Sequence, residues 1–111
     1  MSAIKLGVWP IDDLRSKLCS GKAYHIFHDN ASMRAEYLEY PAGHTDPQSP
    51  HDWDELYYII SGASGFTANG ETSSIKAGDN IFVAAHVEHK FHDIIEDLSV
   101  IVFFSKAESS S

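Results

Sequence analysis

The sequence predicts an all-β fold, an antiparallel sandwich or barrel preceded by one short helix. Three observations carry this. After Gly21, apolar and polar residues alternate with a period of two in short runs. Turn signals separate several of these runs, at Ser61-Gly62, Asn69-Gly70 and Ala77-Gly78-Asp79. Beyond residue 21 no amphipathic segment is long enough to make a packed helix. Many short strands with regular turns belong to antiparallel sandwiches and barrels.

The helix begins at Pro10, whose fixed φ suits a first helical position, and Asp12 and Asp13 face the positive end of the helix dipole. Ile11, Leu14 and Leu18 recur at helical spacing, and Gly21 closes the end. Strands follow at Tyr24–Phe27 and Met33–Tyr40, the second stopped by Pro41-Ala42-Gly43. Further strands are expected at Glu55–Ile60, Gly65–Ala68, Glu71–Ile75, Asn80–Val83, Val87–Ile94 and Leu98–Phe104. Asn69-Gly70 is a strong signal for a two-residue hairpin, because both central positions of that turn need positive φ. Tyr57, Phe66, Phe82, Phe91, Phe103 and Phe104 supply large rings for the interior.

The chain has 111 residues, with 16 acidic side chains against 8 basic ones and a formal charge of −8. This length fits a single domain, with a barrel core over about 22–105 and a Ser-rich tail over 106–111. It is long enough to bury a core without disulfides or a structural metal. The lone Cys19, placed on the helix, makes no internal disulfide and reads as a buried apolar residue. The acidic balance opposes nucleic acid, whose phosphates call for a basic face, and opposes a polybasic membrane anchor. No apolar run approaches a membrane span, and Met1–Pro10 lacks the basic and apolar parts of a signal peptide. What remains is a cytoplasmic chain with a small-molecule or protein partner, and no nucleic acid or membrane.

Histidine is the anomaly, with 7 in the chain, at 25, 28, 44, 51, 86, 89 and 92. His25 and His28 read as surface residues. His51 differs because Glu55 follows at the same strand parity, on a face that also carries Tyr57 and Ile59. A carboxylate on an apolar face is costly unless something pairs with it. A divalent cation with His51 as co-ligand is one partner; a Glu–His hydrogen bond, or a Glu turned to solvent, are the others. His89 shares parity with Phe91 just beyond the Gly78-Asp79 turn and can face the same interior. Two histidines and a carboxylate make a facial ligand set that leaves coordination positions open and suits Fe, Mn, Co, Ni or Zn. Open positions serve a bound small molecule rather than a purely structural ion.

At these residues the chain resembles the cupin superfamily. Its first motif is G(X)5HXH(X)3,4E(X)6G; here Gly43, His51, Glu55 and Gly62 stand at the required spacings, with Ser49 in place of the first histidine. Its second motif is G(X)5PXG(X)2H(X)3N; here Gly78 and His89 match, while Ala84, His86 and Asp93 replace Pro, Gly and Asn. The resemblance covers Gly43 to Asp93 and implies a jelly-roll barrel with a divalent metal held inside by His51, Glu55 and His89. Ser49 breaks the full three-histidine, one-glutamate set. Three protein ligands with water, a substitute from Gln48, His44 or His86 (His86 first, being three residues from His89), or a barrel without metal are the alternatives it leaves.

Tyr57, Phe91 and Phe66 are core or pocket wall. Tyr37 could offer a phenol to a ligand, and Tyr37 and His86 are the two candidates for a general base. Trp53 sits at the pocket mouth or packs outside, and Asp52 and Asp54 point to water. The expected function is metal-dependent chemistry on a small organic molecule, of dioxygenase, isomerase or decarboxylase type. The alternative is a non-catalytic small-molecule sensor or binding module, with or without metal. The resemblance also implies a homodimer, for which Tyr24–His28 and Val100–Phe104 could supply the surface.

Overall fold

The computed structural model describes residues 5–18, 22–46 and 50–106. Helix α1 (Ile11–Ser16) is followed by six strands, β1 (Tyr24–Asp29), β2 (Met33–Tyr40), β3 (Asp54–Ala68), β4 (Glu71–Lys76), β5 (Asn80–Val83) and β6 (His89–Ser105). All pairings are antiparallel, in the order β1-β2-β6-β3-β4, with β5 against β3. The fold is an antiparallel jelly-roll barrel with one short helix.

The long strands β3 and β6 make the barrel. Each serves two walls, because their pairing slips in register between Ile59 and Gly65. The first half of β3 pairs with β5 and the end of β6; its second half pairs with β4 and the start of β6. The Ser61-Gly62 turn predicted from sequence is therefore a run of bulges inside one strand. Gly62 has φ of +100°, and a Cβ there would stand 2.3 Å from the Asp97 carbonyl oxygen. Glycine lets the strand kink without reversing. On β6 the expected break between Ile94 and Leu98 is likewise absorbed into one bent strand, with Asp93 at positive φ beside it. Asn69 and Gly70, at φ of +51° and +79°, form the predicted hairpin between β3 and β4.

Alternation along the strands fills the interior. Tyr57, Ile59, Phe91, Val100 and Val102 are fully buried and pack with Phe66, Phe104 and Leu98 in one cluster. Each contributes about 1.5–3 kcal/mol from removing its side chain from water. Two aromatics expected inside face out. Phe82 is 63% exposed, because Ile81 and Val83 take the inward positions of β5. Phe103 is also exposed, because strand neighbours point to opposite faces and Phe104 points in.

The helix is shorter than predicted. Pro10 is its N-cap rather than its first residue, and Leu18 lies beyond its end, half-buried. Cys19 and Gly21 lie outside the described residues, as does most of the Ser-rich tail. Leu14 is the buried residue of the helix. With Tyr37 and Ala35 it is buried apart from the barrel cluster, and Arg15 Nε donates to the Tyr37 hydroxyl at 3.3 Å. Among the described residues, no helix is long and apolar enough to cross a membrane.

Candidate metal centre

The barrel brings His51, Glu55 and His89 together. One ligand atom from each lies within 4.8 Å of the others. Glu55 sits at the start of β3 opposite Phe104 on one side and Val83 on the other, and its side chain is 1% exposed. The Tyr57 hydroxyl, two residues along the same inward face, donates to Glu55 Oε1 at 2.9 Å. Burial and the Glu55 charge hold the Tyr57 phenol well above its ordinary value, so it remains a donor.

His89 opens β6. Its Nδ1 lies 2.8 Å from the Val87 carbonyl oxygen. A carbonyl only accepts, so Nδ1 carries the proton and the lone pair of the neutral ring is on Nε2. That Nε2 is 3.0 Å from Glu55 Oε2, yet the pair lacks hydrogen-bond geometry. His51 Nε2 is 4.0 Å from Glu55 Oε1 and also has no hydrogen bond. Burial disfavours a charged His89 ring, but Glu55 and the Val87 carbonyl outweigh it and raise its pKa. Protonating His89 would offset the Glu55 charge, but it would leave His51 Nε2 unpartnered.

A cation would partner all three. Two imidazoles and a carboxylate suit Fe, Mn, Co, Ni or Zn. At bond lengths of about 2.1 Å, ligand atoms around one ion stand about 3 Å apart at a right angle and about 4.2 Å apart across it. The 3.0 Å His89–Glu55 and 4.0 Å His51–Glu55 separations fall in that range, and one ligand atom from each of the three residues lies within 4.8 Å of the others. The donor set therefore fits a divalent metal.

Backbone contacts hold His51 in place. The His86 N–H donates to the His51 carbonyl at 2.7 Å, and the Ala85 N–H donates to Asp54 Oδ1 at 2.9 Å. These bonds stitch the segment before β3 to the turn before β6. Below the triad, Tyr57, Phe66 and Phe91 meet edge to face, with centroids 4.8–5.8 Å apart. An open groove of about 810 Å³, bordered by Pro50, Thr67, Asn69, His86 and Val87, reaches His89.

The other sequence-predicted residues are placed differently. His86 does not join the triad: its side chain is 72% exposed and faces Asp52 at 3.6 Å. Its φ of +70° explains why the family motif has glycine there. His44 stacks on Tyr40 with centroids 5.1 Å apart, beside Leu98 and away from the triad. Tyr37 is fully buried but bonds to Glu39, Ser99 and Arg15, so it offers no phenol to the triad. Gln48 and Ser49 lie outside the described residues. Trp53 is half-buried at the interior edge, 6.0 Å from Phe104.

Sequence reasoning missed Asp46, Arg34 and Glu36. Asp46 is buried and accepts from the Phe91 N–H at 3.1 Å; lying in a loop, it had no periodicity to mark it. Arg34 and Glu36 did carry a signal, since they share parity with Leu38 and Tyr40, which face inward.

Comparisons agree with this architecture. A family model described as a cupin domain matches residues 36–104. An uncharacterized protein of Streptomyces coelicolor, SCO3923, is 39% identical over 100 residues, covering 89% of this chain and 95% of that protein. Among solved structures, the DMSP lyase DddQ from Ruegeria pomeroyi superposes with a TM-score of 0.71 at 20% identity over 80% of this chain, which spans 48% of that enzyme. KdgF from Halomonas sp. gives 0.69 at 22% identity, covering 78% of this chain and 79% of that one. A salicylate 1,2-dioxygenase mutant from Pseudoaminobacter salicylatoxidans, in complex with gentisate, gives 0.70 at 18% identity, over 75% of this chain and 24% of that one. At such identities these structures speak for the fold alone. With more than half of its length matched by the family model, this chain belongs to the cupin family.

Proposed function

We propose that the chain holds one divalent metal through His51, Glu55 and His89, and that it binds a small organic molecule inside the barrel and acts on it. The reaction is of the dioxygenase, isomerase or decarboxylase type. One observation carries this reading: two ring nitrogens, His51 Nε2 and His89 Nε2, are buried without a hydrogen bond beside a buried carboxylate. Native interiors rarely leave such atoms orphaned. A bound metal supplies Lewis acidity or O2 activation at open coordination positions.

The chain's own residues prepare the ligand set. Val87 fixes the His89 tautomer, Tyr57 orients the Glu55 carboxylate, and the His86 N–H anchors the His51 backbone. Phe91 and Phe66 exclude water from below. The likeness in fold to a lyase and a dioxygenase supports small-molecule chemistry.

A second reading, a non-catalytic sensor or binding module, is favoured by one observation. Tyr37 bonds to Glu39 and His86 faces Asp52, so neither general-base candidate joins the triad. Elemental mass spectrometry on protein purified without chelators tests the metal. Near one equivalent of iron, manganese, nickel, cobalt or zinc, lost in His51→Ala, supports the site; no metal and no uptake on titration refutes it. Turnover of a candidate acid or diol then separates the enzyme from the module.

We further propose a single-domain homodimer acting in the cytoplasm. On the outer face of the sheet, Ala35, Phe103, Leu56 and Phe82 lie side by side in register, and the last three are exposed. Tyr58 extends this apolar row. Of the run expected to pair, Val100, Val102 and Phe104 face the core, so Ile101 and Phe103 remain outward. β1 stands at a sheet edge. A monomeric mass by light scattering at micromolar protein refutes the dimer.

A further inference from the structure

Among the described residues, three buried side-chain atoms lack a hydrogen-bond partner: His51 Nε2, His89 Nε2 and Arg34 Nε. The first two belong to the candidate metal centre. Arg34 is in the same cross-strand row: it pairs with Phe104, which pairs with Glu55. Two strand spacings, about 10 Å, separate the Arg34 and Glu55 backbones. Side-chain contacts link the two ends of this row. His51 meets Phe104 with centroids 5.6 Å apart, Phe104 meets Trp53 at 6.0 Å, and the Arg34 guanidinium lies 5.2 Å from the Trp53 ring centroid.

The guanidinium is held but not saturated. One terminal nitrogen donates to Asp29 Oδ2 at 3.1 Å. The other is 4.0 Å from Glu36 Oε2, too far for a hydrogen bond. Lys106 adds a second cation 5.1 Å from the Trp53 ring and shares Asp29. Glu36 is the acid that could cancel Arg34 on the inner face. Burial pushes its carboxyl above the ordinary range against the pull of Arg34, Glu55 adds to the rise, and at 4.0 Å it makes no hydrogen bond to the guanidinium.

We propose that Arg34 is the anion-recognition residue of the barrel, and that the small molecule bound beside the triad carries a carboxylate that accepts from Arg34 Nε–H. A guanidinium offers only donors and matches a carboxylate in shape and charge. Its orientation over Trp53 is set before a ligand arrives, which reduces the ordering cost of binding. The inference rests on the metal-site reading only for placing the ligand beside the triad.

The test uses the full chain carrying Trp9→Phe, which leaves Trp53 as the one tryptophan of the 2 in the sequence. Trp53 emission is titrated at constant ionic strength with acetate, benzoate and succinate, and with acetamide, benzamide and succinamide. Both chelator-treated and cobalt-loaded protein are used. The expected result is a saturable change with at least one carboxylate and none with its amide. Arg34→Gln and Arg34→Lys should each weaken it tenfold or more, and the exposed Lys76→Gln should leave it unchanged. Circular dichroism confirms folding, and Arg34→Lys carries the test if Arg34→Gln does not fold. The proposal is overturned if no carboxylate saturates in either preparation, if an amide binds equally, if Arg34→Lys binds normally, or if Lys76→Gln loses as much. Failed cobalt uptake counts against the metal reading, while the chelator-treated arm still decides on Arg34.

Discussion

Replacing His86 with glycine separates a strained backbone from a fourth metal ligand. The residue sits at φ of +70°, with its side chain 72% exposed and 3.6 Å from Asp52. An L-residue in the left-handed region costs about 1–2 kcal/mol, and glycine relieves this. Against it, the freer unfolded chain of a glycine variant costs about 0.4–1 kcal/mol. The contact with Asp52 is exposed on both sides, so its loss costs only a few tenths, about 0.3 kcal/mol. His86→Gly should therefore be more stable by about 0.5 kcal/mol, raising Tm by about 2–4 °C for a domain of this size. His86→Ala keeps the strain and should show no gain. Differential scanning calorimetry on the three proteins reads the shift, and metal content measured in parallel should be unchanged. A lower Tm for His86→Gly refutes the strain argument. Loss of metal in both variants would show that His86 coordinates after all.

Other perturbations test the rest of the site. Tyr57→Phe removes a 2.9 Å hydrogen bond to a buried carboxylate; urea unfolding should show a loss of about 1.5–3 kcal/mol, and a chelator competition should show metal affinity about 10–100-fold weaker. Equal values for both proteins would mean that Tyr57 is only packing. Phe91→Ala opens a cavity beneath the triad and should cost about 3–5 kcal/mol in the same assay; a loss under about 1 kcal/mol would contradict the edge-to-face packing described. Glu36 gives a pH signature. Its folded pKa is raised, so the folded state binds the proton more tightly than the unfolded chain. Its contribution to stability therefore falls as pH rises from the ordinary carboxylate value through the raised one. Glu36→Gln should gain on the parent protein across that window, and a gain that shrinks as pH rises would have the wrong sign.

Much of the fold was legible along the chain. Alternation located Met33–Tyr40 and Asn80–Val83 at their observed bounds, and Asn69-Gly70 marked its hairpin, because those signals are local. The bulges of β3 were not legible. Ser61-Gly62 has the composition of a turn, and only pairing with β6 shows that the chain kinks and continues. Phe103 and Phe104 are both apolar neighbours, and the strand admits only one to the core.

The same division runs through the site. Sequence by itself determined that Glu55 and Tyr57 share an apolar face, that His51 and His89 stand at the spacing of a ligand set, and that the chain is acidic. The shared face and the acidity follow from residue type and a period of two, and the ligand-set spacing from the resemblance to the cupin motifs. Tertiary structure alone decided that His86 turns outward, that Tyr37 is buried apart from the barrel cluster, and that Arg34 stands two strands from Glu55. Each depends on strands brought together from distant parts of the chain, and a local pattern fixes which face a side chain takes but not what stands across the barrel from it.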